Sequence, residues 1–259
     1  MASSTIKFVH EDRIKEVSNP DPNETLLNHI RTKLKKNGTK EGCAEGGCGA
    51  CTVVLGEYKD NKINYSSINS CIMFLPTLHR KQLILVEDLV SKNGSLHPVQ
   101  QAMVNYHGSQ CGFCTPGFVM SLFSMFKNYS KFNDDLIKNS ISGNLCRCTG
   151  YKPIIKAAKS LNNKNKADQF TENEKNIIEL LKKINNESII IYKKDKKYFA
   201  PRYVEELKKI LKKNINSYLL SGGTDLSLVV TKERKNIDSI IYMNSIDELN
   251  YIKNNNGYI

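Results

Sequence analysis

The sequence has no tryptophan and only five histidines in 259 residues. The histidines are scattered and none accompanies a plausible nucleophile, so no catalytic pair is apparent; they lie at positions 10, 29, 79, 97 and 107. No apolar run is long enough for a signal peptide or a membrane-spanning helix. We therefore expect a cytoplasmic protein that has no membrane partner.

Acidic residues are also few, with 26 Asp and Glu against 38 Lys and Arg, which gives a formal net charge of +12. An excess of basic residues can indicate a nucleic-acid partner. Here the lysines are spread along Lys- and Asn-rich segments and helix faces, and they do not form one stripe with aromatic residues. The charge therefore predicts a solvated surface and no nucleic-acid binding.

All eight cysteines fall into two groups of four. The first has the CxxxxCxxC spacing by which plant-type ferredoxins hold a [2Fe-2S] cluster, and comprises Cys43, Cys48, Cys51 and Cys71. The second has a CxxC followed by a CxC, and comprises Cys111, Cys114, Cys146 and Cys148. Disulfides are rare in the cytosol, and structural zinc prefers paired CxxC or Cys/His sets. Iron-sulfur clusters are thus favoured, with disulfides and zinc as the open alternatives.

The first ninety residues predict a small mixed domain. Period-two alternation predicts strands over 6–9 and 13–17, and further strands are expected at 52–55 and 83–86. A capped helix is predicted over 23–34, with Asn23 as the capping residue. The glycines of residues 41–51 allow the backbone to wrap closely around a cluster. The predicted fold is α+β, a ferredoxin-like β-grasp sheet crossed by one helix.

Helical periodicity replaces the strand pattern after residue 95, and it predicts a four-helix bundle. The helices are expected at 98–106, 117–129, 134–141 and 153–161. Both cysteine loops of the second group run into helix starts, where the partial positive charge suits a net negative cluster.

The remaining sequence is polar at first and then mixed. Residues 161–187 predict a linker with a helix over 172–183, followed by a strand at 189–192 and a helix ending at 211. Residues 217–228 read as a strand, a Gly-Gly turn and a helix. Such a turn exposes backbone amides that can bind a pyrophosphate, although taken alone it more often marks a tight turn.

The cysteine motifs carry a resemblance to a known family. A ferredoxin-type loop followed by GSQCGFCTPGFVMS (108–121) and GNLCRCTGY (143–151) resembles the iron-sulfur part of the molybdenum hydroxylases, the xanthine dehydrogenase and aldehyde oxidase family. The likeness runs over about the first 160 residues. It implies that the eight cysteines hold two [2Fe-2S] clusters, that the second cluster lies nearer the molybdopterin, and that Gln110 lies against the pterin of a partner.

The Gly-Gly turn resembles the first flavin-binding loop of the same family. The resemblance implies that the FAD phosphates contact Leu219, Leu220, Ser221, Gly222, Gly223, Thr224, Asp225 and Leu226. It also implies four divisions: a ferredoxin-like domain (1–90), a helical cluster domain (91–162), a linker (163–187) and a partial, PCMH-type FAD-binding domain (188–259). The family's second Gly-Gly-Asn loop does not follow, which leaves a fragment and a shortened gene product both open.

The resemblance implies an electron-transfer subunit, most like the small subunit of a bacterial two-subunit xanthine dehydrogenase. It would carry electrons from a molybdopterin-binding large subunit through two [2Fe-2S] clusters to FAD and then NAD, within a hetero-oligomer. Substrate oxidation would then occur outside this chain, which has no catalytic residue of its own. The alternatives are a stand-alone ferredoxin-like carrier and the iron-sulfur subunit of an aldehyde- or carbon monoxide-oxidising relative.

Overall fold

The computed structural model describes residues 2–163 and 167–254, without the side chain of Asn163. Its first ninety residues contain a five-stranded mixed sheet and one α-helix. Strand β1 pairs antiparallel with β2 and parallel with β5, while β3 pairs antiparallel with both β4 and β5. The sheet order is β2-β1-β5-β3-β4. The elements are β1 (Thr5–His10), β2 (Arg13–Ser18), α1 (Leu26–Thr32), β3 (Thr52–Lys59), β4 (Lys62–Asn69) and β5 (Gln82–Ile84).

The predicted capping of α1 is wrong. Thr25 is the N-cap residue, and its Oγ1 accepts a hydrogen bond from the amide of Asn28 at 3.2 Å. The side chain of Asn23 is used elsewhere: its Nδ2 donates to the carbonyl of Ile237 at 3.1 Å and its Oδ1 accepts from the Ile237 amide at 2.8 Å. The side chain of Asn23 therefore bonds to a residue 214 positions away and does not provide the helix cap that the local sequence predicted.

Strand β4 was not predicted, because its second half is polar and only its first half alternates. The signal that marks it is the two-residue turn before it, where Asp60 and Asn61 both have positive φ, at 53° and 61°. Asp and Asn tolerate this conformation, which matches the twist of a hairpin.

The first sheet packs against a core on each of its two faces. Successive residues of a strand point to opposite faces and therefore enter different cores. On β3, Val54 packs into a core with the helical bundle, whereas Val53 and Leu55 pack into a second core on the other face. Ile84 and Leu83 of β5 divide in the same way. The short apolar runs of the sequence therefore serve two cores at once.

The predicted four-helix region is confirmed. It consists of α2 (Pro98–Asn105), α3 (Thr115–Asn128), α4 (Asp134–Ile141) and α5 (Lys152–Ser160). The long helix α3 is buried along most of its length and packs against β3 and β4.

The segment predicted as a linker is packed against the protein. It contains α6 (Gln169–Glu172) and α7 (Glu174–Lys183), and residues 164–166 lie outside the described residues. Ile177 and Leu181, four residues apart on one face of α7, join Ile184 in the core of the helical bundle. The helix was predicted, but its docking was not, because the low apolar content hid how its few apolar residues share one face.

A second, four-stranded sheet with the order β6-β7-β9-β8 follows, and residues 255–259 of this predicted division lie outside the described residues. Ile189, Tyr198 and Ile240 of this sheet share one core with the first sheet. None of the helices in the described part of the chain has the length and apolarity to cross a membrane. The elements are β6 (Ile189–Lys193), β7 (Lys196–Ala200), α8 (Val204–Lys213), β8 (Tyr218–Leu220), α9 (Leu226–Thr231) and β9 (Ser239–Tyr242).

Candidate functional site

The first cysteine group lies where the loop before β3 meets the end of β4. Cys51 and Cys71 are buried and interact through their thiols: this contact lowers the pKa of Cys51 to about 7 and, together with burial, raises that of Cys71. Cys43 and Cys48 are half-buried and interact with each other in the same way. These mutual pKa shifts link the four thiols as two pairs.

Backbone amides of the loop surround the Cys43 sulfur. The amides of Gly47 and Glu45 lie 3.3 Å and 3.5 Å from its Sγ. Burial raises the pKa of the Cys43 thiol, but these amide contacts and the neighbouring Cys48 outweigh burial, so its pKa is lowered. The loop is built to hold a thiolate.

Two glycines make this loop possible. A Cβ on Gly42 would lie 2.7 Å from the Sγ of Cys48. Gly46 has a φ of +76°, and a Cβ there would lie 2.5 Å from Cδ1 of Ile72. The backbone thus passes closer to the sulfurs and to the adjacent wall than any side chain would allow.

In the second cysteine group, the Cys146 thiol contributes to the raised pKa of Cys114 and the Cys111 thiol to the raised pKa of Cys148, which also indicates two pairs. Cys114 is the N-cap residue of α3, as the predicted loop-to-helix transition requires. Burial, followed by the contact with Cys146, raises the pKa of Cys114 to about 12. Burial also raises the pKa of Cys146, but hydrogen bonds from Thr149 outweigh it and lower that pKa to about 7.

The paired arrangement distinguishes between the possible metals. Four thiolates on one tetrahedral zinc ion lie about 3.8 Å from one another, given Zn–S bonds of about 2.3 Å. Within residues 2–163 and 167–254, no three cysteine sulfurs lie within 4.8 Å of one another. Two thiol pairs fit a two-iron cluster in which each iron has two cysteine ligands. The cysteine groups therefore fit [2Fe-2S] better than zinc, and the individual ligand assignments stay predictions.

The two cysteine loops are in direct contact. The amide of Leu145 donates to the carbonyl of Cys48 at 3.0 Å, so one hydrogen bond connects a cysteine of the first group to the residue preceding Cys146. The adjacent Asn144 donates through Nδ2 to the carbonyl of Gly49, also at 3.0 Å. No local pattern indicates these contacts, which join residues about 95 positions apart.

A cleft of about 740 Å³ opens between the first sheet and the predicted flavin loop. Five of the eight predicted loop residues line it: Leu220, Ser221, Gly222, Gly223 and Thr224. The other three do not: Leu219 is exposed, Asp225 precedes α9, and Leu226 packs toward the shared core. The opposite wall includes Asn69 and Ile72, which lie on either side of Ser70 and Cys71 in the sequence.

Helix α9 connects the flavin loop to the first cysteine group. Its Leu228 packs against a buried cluster that contains Cys51, Cys71 and Ile72. Just beyond the helix, Lys232 forms an ion pair of 2.8 Å with Glu45 of the cysteine loop. Sequence reasoning missed Leu228 and Asn69, because neither belongs to a recognisable motif.

Gln110 is exposed beside Cys111. Phe113 and Leu145 are also exposed here, Leu145 to 55%. The second cysteine group therefore lies beside an apolar surface, and the role of Gln110 toward a pterin stays a prediction.

Three protein families match consecutive parts of the chain. Residues 9–75 match a "2Fe-2S iron-sulfur cluster binding domain", residues 85–159 a "[2Fe-2S] binding domain", and residues 192–259 an "FAD binding domain in molybdopterin dehydrogenase". A chain of quinoline 2-oxidoreductase from Pseudomonas putida 86 is 30% identical, with a TM-score of 0.51, over 60% of this chain and 90% of that one. The chain belongs to the molybdenum hydroxylase family.

Within the molybdenum hydroxylases, the chain is also similar to much longer proteins. Xanthine dehydrogenase of Blastobotrys adeninivorans is 52% identical over 147 residues, which are 56% of this chain and 10% of that protein. Aldehyde oxidase 1 of Macaca fascicularis is 42% identical over 161 residues, 61% of this chain and 12% of that protein. The chain thus spans about a tenth of the length of these relatives, and it holds two [2Fe-2S] domains and an FAD-binding domain.

Proposed function

We propose that this protein is the electron-transfer part of a xanthine dehydrogenase. Electrons would pass from molybdopterin through the second and then the first [2Fe-2S] site to FAD, with NAD as the final acceptor. The observation that carries the proposal is continuous contact: Leu145 bonds to Cys48, and Leu228 of the flavin-side helix packs on Cys51 and Cys71.

The chain's own residues hold and insulate this path. A bound [2Fe-2S] cluster exchanges one electron at a time, whereas oxidation of xanthine and reduction of NAD each involve two. Amides of Glu45 and Gly47 compensate negative charge at Cys43, and Thr149 does so at Cys146. Leu228 and Ile72 exclude water from the side of the first site that faces the flavin cleft.

Five residues of the cleft would hold FAD, namely Leu220, Ser221, Gly222, Gly223 and Thr224. Gly223 has a φ of +74°, so the turn needs a glycine there. Ser221 is oriented by a hydrogen bond of 2.7 Å to Asn244.

The molybdopterin-binding partner would dock at the exposed side of the second cysteine group. Cys111 and Cys148 are exposed there, next to Phe113, Leu145 and Gln110. Exposed apolar side chains beside a redox site suit a partner that must come close. We propose a separate large subunit, so that the assembly is a hetero-oligomer.

Xanthine is the proposed substrate of the assembly. Xanthine is the first substrate to test, because xanthine dehydrogenases are among the relatives of this chain, at up to 52% identity. Co-expression with a molybdopterin-binding polypeptide of the same family, followed by purification and assays with xanthine and with an aldehyde, tests both ideas. Failure of the two polypeptides to co-purify would contradict the subunit assignment, and oxidation of the aldehyde alone would contradict the substrate.

The cluster assignment has its own test. We expect iron and acid-labile sulfide equal to two [2Fe-2S] clusters per chain, and two distinct EPR signals after reduction. Cys43→Ser should remove one signal and Cys111→Ser the other, so that each variant is the control for the other. Stoichiometric zinc, or loss of both signals in either variant, would contradict two independent clusters.

A further inference from the structure

Asn144 lies at the junction of the two cysteine loops and is only 3% exposed. Its Nδ2 donates to the carbonyl of Gly49 at 3.0 Å and to Oγ1 of Thr52 at 3.2 Å, while its Oδ1 accepts from Ser121 at 2.7 Å. One amide side chain therefore links helix α3, the start of β3 and both cysteine loops.

These bonds use both donors of the Asn144 amide and satisfy its oxygen. A buried polar group with a complete set of partners holds one arrangement, because every alternative position leaves a polar atom unpaired away from water. The side chain thus acts as a rigid connector.

Asn144 lies next to a direct backbone hydrogen bond between the two cysteine loops. Leu145 bonds to the carbonyl of Cys48, and Asn144 bonds to the carbonyl of the next residue, Gly49. Two adjacent hydrogen bonds between the same two loops fix both their separation and their relative orientation.

Close backbone packing leaves this clamp little freedom. A Cβ on Gly117 would lie 2.1 Å from the carbonyl oxygen of Gly49. Gly49 has a φ of +69°, and a Cβ there would lie 2.4 Å from Nδ2 of Asn144. The loops meet where only glycine fits on the opposing surfaces.

We propose that Asn144 is the positioning residue for electron exchange between the two [2Fe-2S] sites. By clamping Gly49 it holds the Leu145 amide on the Cys48 carbonyl, and so sets the distance between the cluster held by Cys48 and the one held by Cys146. The inference rests on the proposed clusters but goes beyond them, since it assigns a residue that is not a ligand.

The decisive variant is Asn144→Asp, which keeps the size of the side chain but turns the Nδ2 donor toward Gly49 and Thr52 into an oxygen. In the reduced full chain with both clusters, the magnetic interaction between them in EPR should weaken, since it falls with the cube of their separation. Exchange of the Leu145 amide should accelerate at least about fivefold, because each lost hydrogen bond is worth about 1 kcal/mol and the variant loses its donor to both Gly49 and Thr52. Asn139→Asp makes the same chemical change at an exposed position and should alter neither.

Ser121→Ala provides a milder variant, because it removes only the hydrogen bond that orients Asn144. It should retain full iron and show a smaller weakening of the same interaction. The proposal is overturned if Ser121→Ala, or an iron-replete Asn144→Asp, keeps the wild-type magnetic interaction and the wild-type exchange of Leu145. Failure of the proposed function would look different, because the wild-type chain would then lack two EPR-active clusters.

Discussion

Among the carboxylates of the segment predicted as a linker, residues 163–187, Asp168 should contribute most to the free energy of unfolding. Its side chain is 4% exposed, and its two oxygens bind Lys127 Nζ at 2.7 Å and His97 Nε2 at 3.0 Å. It also caps α6, accepting from the Thr171 amide at 2.8 Å. Burial raises its pKa, but the hydrogen bonds from His97 and Lys127 outweigh burial and hold that pKa well below the usual range.

Asp168→Asn preserves the shape and removes the charge. The ammonium group of Lys127, whose side chain is only 7% exposed, is then left without its carboxylate. Breaking a buried pair from one side costs about 3–5 kcal/mol, so we expect the free energy of unfolding to fall by about that amount. Replacing both partners, as Asp168→Asn with Lys127→Met, should cost less than the sum of the single changes, because no unpaired ammonium remains.

Urea denaturation at about pH 7.5, followed by far-UV circular dichroism, measures these free energies if the urea dependence stays constant across the variants. The matched control is Asp134→Asn, which breaks an exposed ion pair with Lys159 and removes one charge from the first turn of α4, so it should lower stability by at most about 1 kcal/mol. A wild-type midpoint for Asp168→Asn, or strict additivity in the double variant, would refute the reasoning.

Two further predictions concern other regions. Gly117→Ala improves helix propensity by about 1 kcal/mol, but its Cβ would lie 2.1 Å from the Gly49 carbonyl oxygen, so thermal denaturation should show a net loss of about 1–3 kcal/mol in the free energy of unfolding. The control is Gly143→Ala, whose Cβ would have no atom within 4 Å and which should not show this loss. A stabilised Gly117→Ala would contradict the packing. Burial, and then Arg80, lower the pKa of His79 to about 4. In the unfolded chain this histidine has an ordinary pKa near 6.5, so below about pH 6.5 the unfolded chain binds more protons than the folded one. The free energy of unfolding should therefore fall by about 1.4 kcal/mol from about pH 8 to about pH 5.5. His79→Gln should remove this decline in urea titrations; parallel wild-type and variant curves would argue against it.

Local sequence patterns were sufficient for most helices and strands. The bundle helices begin within about two residues of their predicted starts, because prolines, caps and helical spacing act over one or two turns. The cysteine spacings likewise identified both groups and the loop that wraps the first one. Errors arose where a distant contact overrode a local preference, as when Asn23 bonded to Ile237 instead of capping α1.

Sequence alone determined which residues can carry the chemistry: two unlike cysteine groups, a glycine-rich loop and a Gly-Gly turn. Only the tertiary structure decided that these parts touch. The Leu145 bond to Cys48, the Asn144 clamp and the packing of Leu228 on Cys51 and Cys71 all join residues far apart in the chain. Spacing and periodicity describe neighbours along one element, whereas an electron path depends on distances between elements, which are set by how both faces of the first sheet are buried.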